Sequence, residues 1–343
     1  MFNDGLIDEA RLDDQLSRPQ VATIETLGKY SGPVSVLGAG GKMGFHVLRM
    51  LQRCFEAVDR RDAITAVSRF TDSRQRELIR HHGFDLHACD LSDPEEYRQL
   101  PEAAQVFFLA GIKFGTRDKP ELLQRMNVTL PRLVAEHYRA AEIVALSTGC
   151  VYGFTEPETG GSNEDSPTDP PGDYALSCLG REQAFAEGAV QHGTRVCLVR
   201  LNYAVEPRYG VLVDLASKIA SGQPIDLRTG YVNLIGQADA VNYVLRALSL
   251  AETPARVLNV TGKAVLRVRD LAEALAERLD CSVQFVGKER STAWLNNATL
   301  SHRLFGEPPT PLSSILDDVV AWQKGGGRLL HKPTQFEVRD GAY

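Results

Sequence analysis

The sequence predicts an α/β fold, a doubly wound parallel sheet with a smaller C-terminal substrate lobe. Three observations support it: short apolar runs recur between Val34 and Arg200, helical stretches separate most of them, and a glycine-rich turn follows the first run. Apolar runs without polar alternation are typical of strands covered by helices on both faces. The alternation of such strands with helices is typical of a parallel sheet.

Seven apolar runs are predicted strands. They are Val34–Leu37, Ile64–Val67, Leu86–Ala88, Val106–Ala110, Ile143–Ser147, Val196–Arg200 and Val257–Thr261. The predicted helices are Met43–Arg53, Pro120–Ala141, Tyr174–His192, Asp270–Leu279 and Ser313–Trp322, the last with a serine cap. Before the first strand, Leu12 and Leu16 predict a short amphipathic helix in an acidic arm.

Composition and charge exclude several classes of partner. The net charge is −6 and no basic stripe stands out, which argues against binding to nucleic acid. The apolar runs are too short to span a membrane, and the N-terminus lacks an apolar signal core. Six scattered cysteines without a CxxC pair and eight histidines without a zinc pattern predict reduced thiols and no metal site. We therefore expect a cytoplasmic protein with a small-molecule ligand.

The glycine turn Leu37-Gly38-Ala39-Gly40-Gly41-Lys42-Met43-Gly44 links the first strand to an apolar helix. Glycines at such a position permit a tight turn, close approach of a pyrophosphate and close packing of helix on strand. The free N–H groups and partial positive charge of the helix N-terminus then face the phosphates. This context predicts a Rossmann-type dinucleotide site. The expected contacts are Gly38, Gly40, Gly41, Lys42, Met43 and Gly44.

The end of the second strand indicates which dinucleotide binds. An NAD enzyme normally carries Asp or Glu there, but Asp59 and Asp62 precede the strand, at its wrong end. Ser68 and Arg69 follow it instead, and a hydroxyl with a guanidinium suits a 2′-phosphate. The pattern favours NADP and leaves NAD open.

We expect the chain to divide into three parts. Residues 1–30 form the arm, and residues 31–205 form the dinucleotide-binding Rossmann domain, to which residues 229–262 return. Residues 206–228 and 263–343 form the substrate lobe and the C-terminal tail. A long loop rich in Pro, Gly, Asp and Glu at 154–173 is expected to be functional or mobile.

Several further motifs occur in order after the strands. They are Cys89-Asp90-Leu91, Leu109-Ala110-Gly111-Ile112-Lys113, Asn127-Val128, Ser147-Thr148-Gly149-Cys150-Val151-Tyr152-Gly153, Tyr174-Ala175-Leu176-Ser177 and Arg200-Leu201-Asn202-Tyr203. With them, the chain resembles the extended short-chain dehydrogenases/reductases, the NAD(P)-dependent sugar epimerases and dehydratases, from about Val34 to Trp322.

The resemblance implies roles for these residues. Cofactor contacts are expected from Asp90, Leu91, Leu109, Ala110, Gly111, Lys113 and Asn127, and substrate contacts from Lys113, Thr148, Asn202 and Asn233. Apart from the resemblance, Arg208 is a basic candidate for contact with an anionic substrate, against the alternative of an exposed and solvated loop arginine. Thr148 stands at the catalytic Ser/Thr position and Tyr174 at the position of the proton donor. Many relatives pair two helices from each subunit, so a homodimer through Pro120–Ala141 and Tyr174–His192 is expected. Asn233 stands where nucleotide-sugar enzymes usually carry an arginine, which favours a smaller sugar or sugar acid.

One departure concerns the chemistry directly. The family motif is YxxxK, and this chain carries Cys178 in place of the lysine. A nearby ammonium lowers the pKa of a tyrosine from about 10, whereas a thiol supplies no positive charge. Lys113 could occupy the vacant position, Tyr174 could act as an acid only, or the protein could bind cofactor without turnover. A nucleophilic role for Cys178 is a further alternative, against a thiol that only fills space.

Two functions follow. The first is an NAD(P)-dependent oxidoreductase or epimerase acting on a hydroxyl or carbonyl of a sugar or sugar-derived acid. The alternative is a catalytically impaired dinucleotide-binding pseudoenzyme that senses redox state or regulates a partner. The retention of both Thr148 and Tyr174 favours the first.

Overall fold

The computed structural model describes residues 8–113, 119–332 and 334–339. Its strands are β1 (Val34–Leu37), β2 (Ile64–Ser68), β3 (Asp85–Ala88), β4 (Gln105–Phe108), β5 (Glu142–Thr148), β6 (Arg195–Leu201), β7 (Ala204–Val205), β8 (Ile225–Asp226), β9 (Tyr231–Val232), β10 (Ile235–Gly236), β11 (Arg256–Val260), β12 (Leu266–Arg267) and β13 (Phe285–Val286).

Helices connect most of these strands. They are α1 (Glu9–Leu16), α2 (Val21–Leu27), α3 (Gly44–Ala57), α4 (Ser73–His81), α5 (Pro94–Tyr97), α6 (Pro120–Gln124), α7 (Leu130–His137), α8 (Gly172–His192), α9 (Val211–Ala220), α10 (Gln237–Arg246), α11 (Val268–Leu279), α12 (Thr299–Phe305) and α13 (Leu312–Lys324). A π-helical turn, Arg125–Thr129, joins α6 to α7.

The central sheet has seven strands in the order β11-β6-β5-β4-β1-β2-β3, and every neighbouring pair is parallel. The chain therefore leaves β1 in one direction for β2 and β3 and returns to its other side for β4. Ligands of such sheets bind where the strand order reverses, outside the carboxyl ends of the strands.

Helices cover both faces of this sheet. One buried cluster joins α3 and α10 to one face through residues such as Val47, Leu51 and Val244. On the other face, α7 and α8 pack through Val134 and Phe185. These two layers confirm the predicted doubly wound α/β fold.

A second core lies in the C-terminal part of the chain. Its buried side chains come from α9, α11 and α13, with Leu215, Leu275 and Val319 among them. Phe336, from the C-terminal tail, is also buried in this cluster. The tail therefore packs against the C-terminal core.

The N-terminal arm packs against the rest of the chain. Leu12 and Leu16, on one side of α1, are buried against Trp322 of α13. Asp13 pairs with His46 at the start of α3 and with Arg208, at 3.0 and 2.8 Å. The short helix predicted in the arm is therefore present.

Several predicted bounds shift in the structure, most clearly in three places. The helix expected to continue to Ala141 ends at His137 and contains the π-helical turn. The fourth strand ends at Phe108, before Ala110. Ser313 is not a cap, because α13 begins at Leu312 after Pro311 and has no side-chain cap. The proline sets an extended entry to the helix one residue earlier than the pattern indicates.

No helix within the described ranges is long and apolar enough to cross a membrane.

Candidate active site

The carboxyl edge of the sheet brings most of the predicted site residues together. Gly38 follows β1, Ser68 ends β2, Leu109 follows β4 and Thr148 ends β5. Because the strands are parallel, these positions meet at one edge, on both sides of the point where the strand order reverses.

The glycine turn has the geometry of a phosphate cradle. Gly38 has φ +87°, which side chains rarely tolerate. A Cβ at Gly44 would lie 2.1 Å from the carbonyl oxygen of Ala39, and one at Gly40 would lie 2.6 Å from Oγ of Ser68. Helix α3 begins at Gly44 and directs its N-terminus at this turn. The residues present therefore fit a dinucleotide pyrophosphate.

The segments that follow β2 and β3 carry a cation and an acid. Arg69 is exposed directly after β2, and Phe70 beside it is buried with φ 48°. Asp90, after β3, accepts hydrogen bonds from the backbone N–H and the hydroxyl of Ser92, and with Arg69 and Arg125 nearby its pKa is lowered although burial opposes this. Within the described ranges Arg69 forms no ion pair, so its guanidinium is available to bind a phosphate group.

A cavity of about 190 Å³ lies between the sheet edge and the C-terminal lobe. It is lined by Lys42, Met43, Lys113, Ser147, Thr148, Cys150, Tyr174, Leu201, Asn202, Tyr203, Ala204, Tyr209, Gly210, Val211 and Thr334. Thr148 and Tyr174 thus face the same space, which begins at the glycine turn. Thr148 Oγ1 also accepts a hydrogen bond from the N–H of Cys150, which orients its hydroxyl.

Tyr174 and Cys178 lie one turn apart on α8 and contact each other. Burial raises the pKa of the Tyr174 phenol well above its ordinary value, and the neighbouring thiols Cys178 and Cys150 add to this. Burial also raises the pKa of Cys178, which is fully buried. At neutral pH both groups therefore hold their protons, so Tyr174 is suited to donate a proton and Cys178 is a poor nucleophile.

Two lysines reach the cavity from opposite sides. Lys113 Nζ lies 5.6 Å from the centre of the Tyr174 ring and donates a hydrogen bond to the carbonyl oxygen of Thr334 at 3.2 Å. Lys42 Nζ lies 3.2 Å from the centre of the Tyr209 ring. Burial lowers the pKa of both, that of Lys42 to about 7. An anionic group bound beside these two lysines would raise their pKa again and so favour the charged ammonium forms.

A buried ion pair holds α8 against the sheet. The Arg200 guanidinium donates to both carboxylate oxygens of Glu182, at 2.9 and 2.6 Å, and to Tyr152 Oη at 2.7 Å. Ser147, one residue before Thr148, donates to the same carboxylate. This network places the end of β5 and the start of α8 in a defined relation.

Asn127 occupies the π-helical turn, where its side chain leaves the regular helix pattern. Its Oδ1 accepts from the N–H of Ile112 and from Arg181, and its Nδ2 donates to the carbonyl of Ile112 and to Ser177 Oγ. Asn127 therefore holds the segment after β4 to helix α8. It acts on the predicted cofactor segment through the backbone.

Two predicted substrate residues are bonded to each other. Asn202 Nδ2 donates to Asn233 Oδ1 at 2.8 Å, and the backbone N–H of Asn296 donates to the same oxygen. Asn202 still lines the cavity, whereas Asn233 does not. Asn233 is 1% exposed and holds the 296 region in place.

Arg208 is not the exposed loop residue that the sequence suggests. It is 6% exposed and pairs with Glu206 and Asp13 at 3.1 and 2.8 Å. It does not line the cavity, so the structure does not bring it to Thr148 and Tyr174. The sequence did not indicate this pairing, because Asp13, which supplies the carboxylate, lies in the arm, far from Arg208 along the chain.

Other cavity and site residues were missed. Tyr209 and Thr334 line the cavity from the C-terminal half, and Arg181 and Glu182 lie buried on α8. A signal existed for Arg181, since it stands seven residues after Tyr174 and so on the same helix face. No local signal marks Thr334, whose position depends on the return of the tail.

Comparisons with known proteins agree with this geometry. A sequence model described as the NAD dependent epimerase/dehydratase family matches residues 34–260. No curated protein sequence matches this chain.

Solved structures with this fold include several epimerases. The UDP-glucuronic acid 4-epimerase from Bacillus cereus in complex with NAD is 18% identical, with a TM-score of 0.72, covering 85% of this chain and 98% of that one. The UDP-Glc/GlcNAc 4-epimerase from Campylobacter jejuni is 19% identical, with a TM-score of 0.70, covering 86% and 99%. The UDP-glucose 4-epimerase of Thermus thermophilus in complex with NAD is 19% identical, with a TM-score of 0.68, covering 85% and 99%.

Thiol labelling tests the state of Cys178. We expect one rapidly reacting thiol per native chain, Cys281, because it is exposed whereas the other five cysteines are buried. Cys178 should react only on unfolding, since burial raises its pKa. Reaction with a thiol reagent, followed by mass spectrometry of the labelled peptides, measures this. Cys281→Ser should remove the rapid phase, and rapid native labelling of Cys178 would show that the thiol is accessible and activated.

Proposed function

This chain belongs to the NAD-dependent epimerase/dehydratase family, and we propose that its Thr148–Tyr174 site oxidises or reduces a hydroxyl or carbonyl of a sugar-derived acid. Membership confirms the family resemblance expected from the motifs and the enzyme class it implied, an NAD-dependent epimerase or dehydratase. The comparisons give no support to the alternative of a pseudoenzyme. The observation that carries the proposal is that Thr148 and Tyr174 face one cavity beside the glycine turn.

The roles follow from the positions of the side chains. The Thr148 hydroxyl holds the reacting oxygen of the substrate, and Tyr174 passes its proton to that oxygen. Since burial raises the pKa of Tyr174, the phenol is protonated at neutral pH and reduction of a carbonyl is the favoured direction. The dinucleotide, when bound, supplies the hydride for this reduction. The glycine turn and the N-terminus of α3 hold its phosphates in the proposed complex.

An acidic substrate is supported by the charge in the cavity. Lys42 and Lys113 both line it, and a carboxylate binds to such ammonium groups by charge-assisted hydrogen bonds. One of the similar structures is named a UDP-glucuronic acid 4-epimerase, so its own substrate carries a sugar acid.

We propose NADP as the preferred dinucleotide, because Ser68 and Arg69 stand at the end of β2 and no carboxylate does. The similar structures from Bacillus cereus and Thermus thermophilus contain NAD, so NAD is the alternative outcome. The unpaired cysteines support our proposal of a cytoplasmic location, where thiols stay reduced.

We propose that the chain divides into the lobes expected from the sequence, with residues 229–262 belonging to the dinucleotide-binding domain.

We also propose that the chain is a homodimer. Leu176 and Val190 on α8 are 58% and 68% exposed and lie on one face, fourteen residues apart. We place both side chains at the subunit contact that the proposed pairing of α8 would form.

Replacement of Tyr174 tests the reaction itself. The wild-type chain should oxidise or reduce bound dinucleotide with at least one member of a panel of aldonic and uronic acids, neutral sugars and UDP-sugars. Tyr174→Phe should reduce kcat by about a hundredfold to ten-thousandfold, because it removes the positioned proton donor. Steady-state absorbance of the reduced dinucleotide at 340 nm measures the rate. Absence of turnover by the wild type with the whole panel would contradict the proposal.

The same panel tests the acid preference. Lys42→Met should raise KM for a sugar acid about tenfold more than KM for a neutral sugar, because the charge-assisted bond is lost only with the acid, whereas any change in dinucleotide binding affects both substrates. In the wild type, KM for the acid should increase above about pH 7, where Lys42 loses its proton. Lys263→Met is the control, because Lys263 is exposed and pairs with Glu307. An equal change in KM for acid and neutral substrates in Lys42→Met would contradict the proposed preference for an acidic substrate.

Calorimetric titration tests the dinucleotide preference. NADP(H) should bind more tightly than NAD(H), and Arg69→Ala should weaken NADP(H) about tenfold or more while leaving NAD(H) unchanged. Arg61→Ala is the matched control, because Arg61 is an exposed arginine before the same strand, at its other end. Equal affinities for the two dinucleotides in the wild type, or an unchanged affinity for NADP(H) in Arg69→Ala, would contradict the NADP preference.

Sedimentation velocity tests the dimer. The wild type should sediment as a dimer at micromolar concentration, and Leu176→Glu with Val190→Glu should give a folded monomer, because buried unpaired charges disfavour the contact. Val21→Glu should remain a dimer, since Val21 is 71% exposed on α2, a different helix. A monomeric wild type would refute the proposal.

A further inference from the structure

Helix α8 carries a second charged group on the face that bears Tyr174 and Cys178. Arg181 stands three residues after Cys178 and seven after Tyr174, which places all three on one side of the helix. Arg181 is 7% exposed, and its neighbour Glu182 is bound to Arg200. The guanidinium is therefore a buried cation beside the position where the motif lysine is missing.

The position of the guanidinium is set by three elements. Arg181 Nη1 donates to the carbonyl oxygen of Leu146, two residues before Thr148, at 2.9 Å. Its Nη2 donates to Asn127 Oδ1 at 2.6 Å, in the π-helical turn. A Cβ at Gly111 would lie 2.2 Å from Nη2, so the cation lies against the segment that follows β4. It lies at the sheet edge, among the elements that carry Thr148 and Tyr174.

This cation has no anionic partner in the described parts of the chain. Its two bonded acceptors are a carbonyl and an amide oxygen, and its buried Nε has no hydrogen-bond partner. Burial of a charge without a counter-charge is costly, and such groups are usually paired. An anion that forms during the reaction would lower this cost, and the Tyr174 phenolate is the group that would form there. Arg181 lowers the pKa of both Tyr174 and Cys178, although burial outweighs it.

We propose that Arg181 supplies beside Tyr174 the positive charge that the lysine of the YxxxK motif supplies in related enzymes. Arg181 is then a positioning residue, which acts on the substrate through Tyr174 and, by its bond to Asn127, on the segment after β4. The inference rests on the proposed function, since it assigns Tyr174 the proton transfer. Lys113 is the competing cation, because its ammonium also lies near the Tyr174 ring.

The dependence of kcat on pH tests the assignment in the full-length protein. For oxidation of the best alcohol substrate, Arg181→Gln should move the apparent pKa of the rate upward by about one unit or more. The rate at neutral pH should then decrease about tenfold, with KM within twofold of the wild type. Arg181→Lys should keep the pH profile near that of the wild type, since the charge remains.

Two further variants provide the comparison. Arg132→Gln removes an exposed arginine from the helix packed against α8 and should not move the profile. Lys113→Met distinguishes the competing cation. An unmoved profile in Arg181→Gln, or a shift in Lys113→Met alone, would overturn the role of Arg181 and leave the proposed function intact.

A second measurement needs no substrate. The tyrosinate absorbance at 295 nm, taken as the difference between each chain and its Tyr174→Phe counterpart, reports the ionisation of Tyr174. At the highest pH at which circular dichroism shows all chains to be folded, this signal should be larger in the wild type and in Arg181→Lys than in Arg181→Gln. Equal signals, including no ionisation in either chain, would overturn the assignment even if the enzyme turns over. If the wild type has no activity but the signals differ, the proposed function fails and the electrostatic role of Arg181 stands.

Discussion

The buried pair of Glu182 with Arg200 is the constraint on which the rest of the site depends. It joins α8 to the sixth strand of the sheet, and through Ser147 it reaches the fifth. Removal of one partner of such a pair costs about 3–5 kcal/mol, because the other charge stays buried without compensation. The pair thereby determines where Tyr174 lies relative to Thr148, the two groups proposed to hold one substrate oxygen between them.

Positive charge in this site is distributed differently from the family pattern. Cys178 fills the position of the lysine with an uncharged, fully buried thiol, while Lys42 and Lys113 bring cations from two other segments and Arg181 brings one from the same helix. Two of them line the cavity, whereas Arg181 lies beneath it at the sheet edge. In the roles proposed above, the lysines bind the charge of the substrate and the arginine promotes the ionisation of Tyr174.

Distant parts of the chain complete the site. Thr334 of the C-terminal tail lines the cavity, and its backbone N–H donates a hydrogen bond to Asp214 of α9. Its carbonyl oxygen accepts a hydrogen bond from the ammonium group of Lys113. On the other side, Asp13 of the arm joins His46 and Arg208. Both terminal segments therefore fix residues that flank the cavity, and they connect its geometry to the packing of the C-terminal core.

The sequence by itself determined the α/β fold and the sites that local pattern encodes. Apolar runs separated by helices predicted each strand of the central sheet, and Gly38 and Gly44 predicted the cradle, since backbone conformation and close packing at those positions exclude other residues. Only the tertiary structure decided which charged and polar groups pair with each other. Arg208 pairs with an acid from the arm, Asn202 with Asn233, and Arg181 with a carbonyl of β5. The physical reason is that hydrogen bonds and ion pairs act over a few ångströms in space, between residues that chain folding alone brings together.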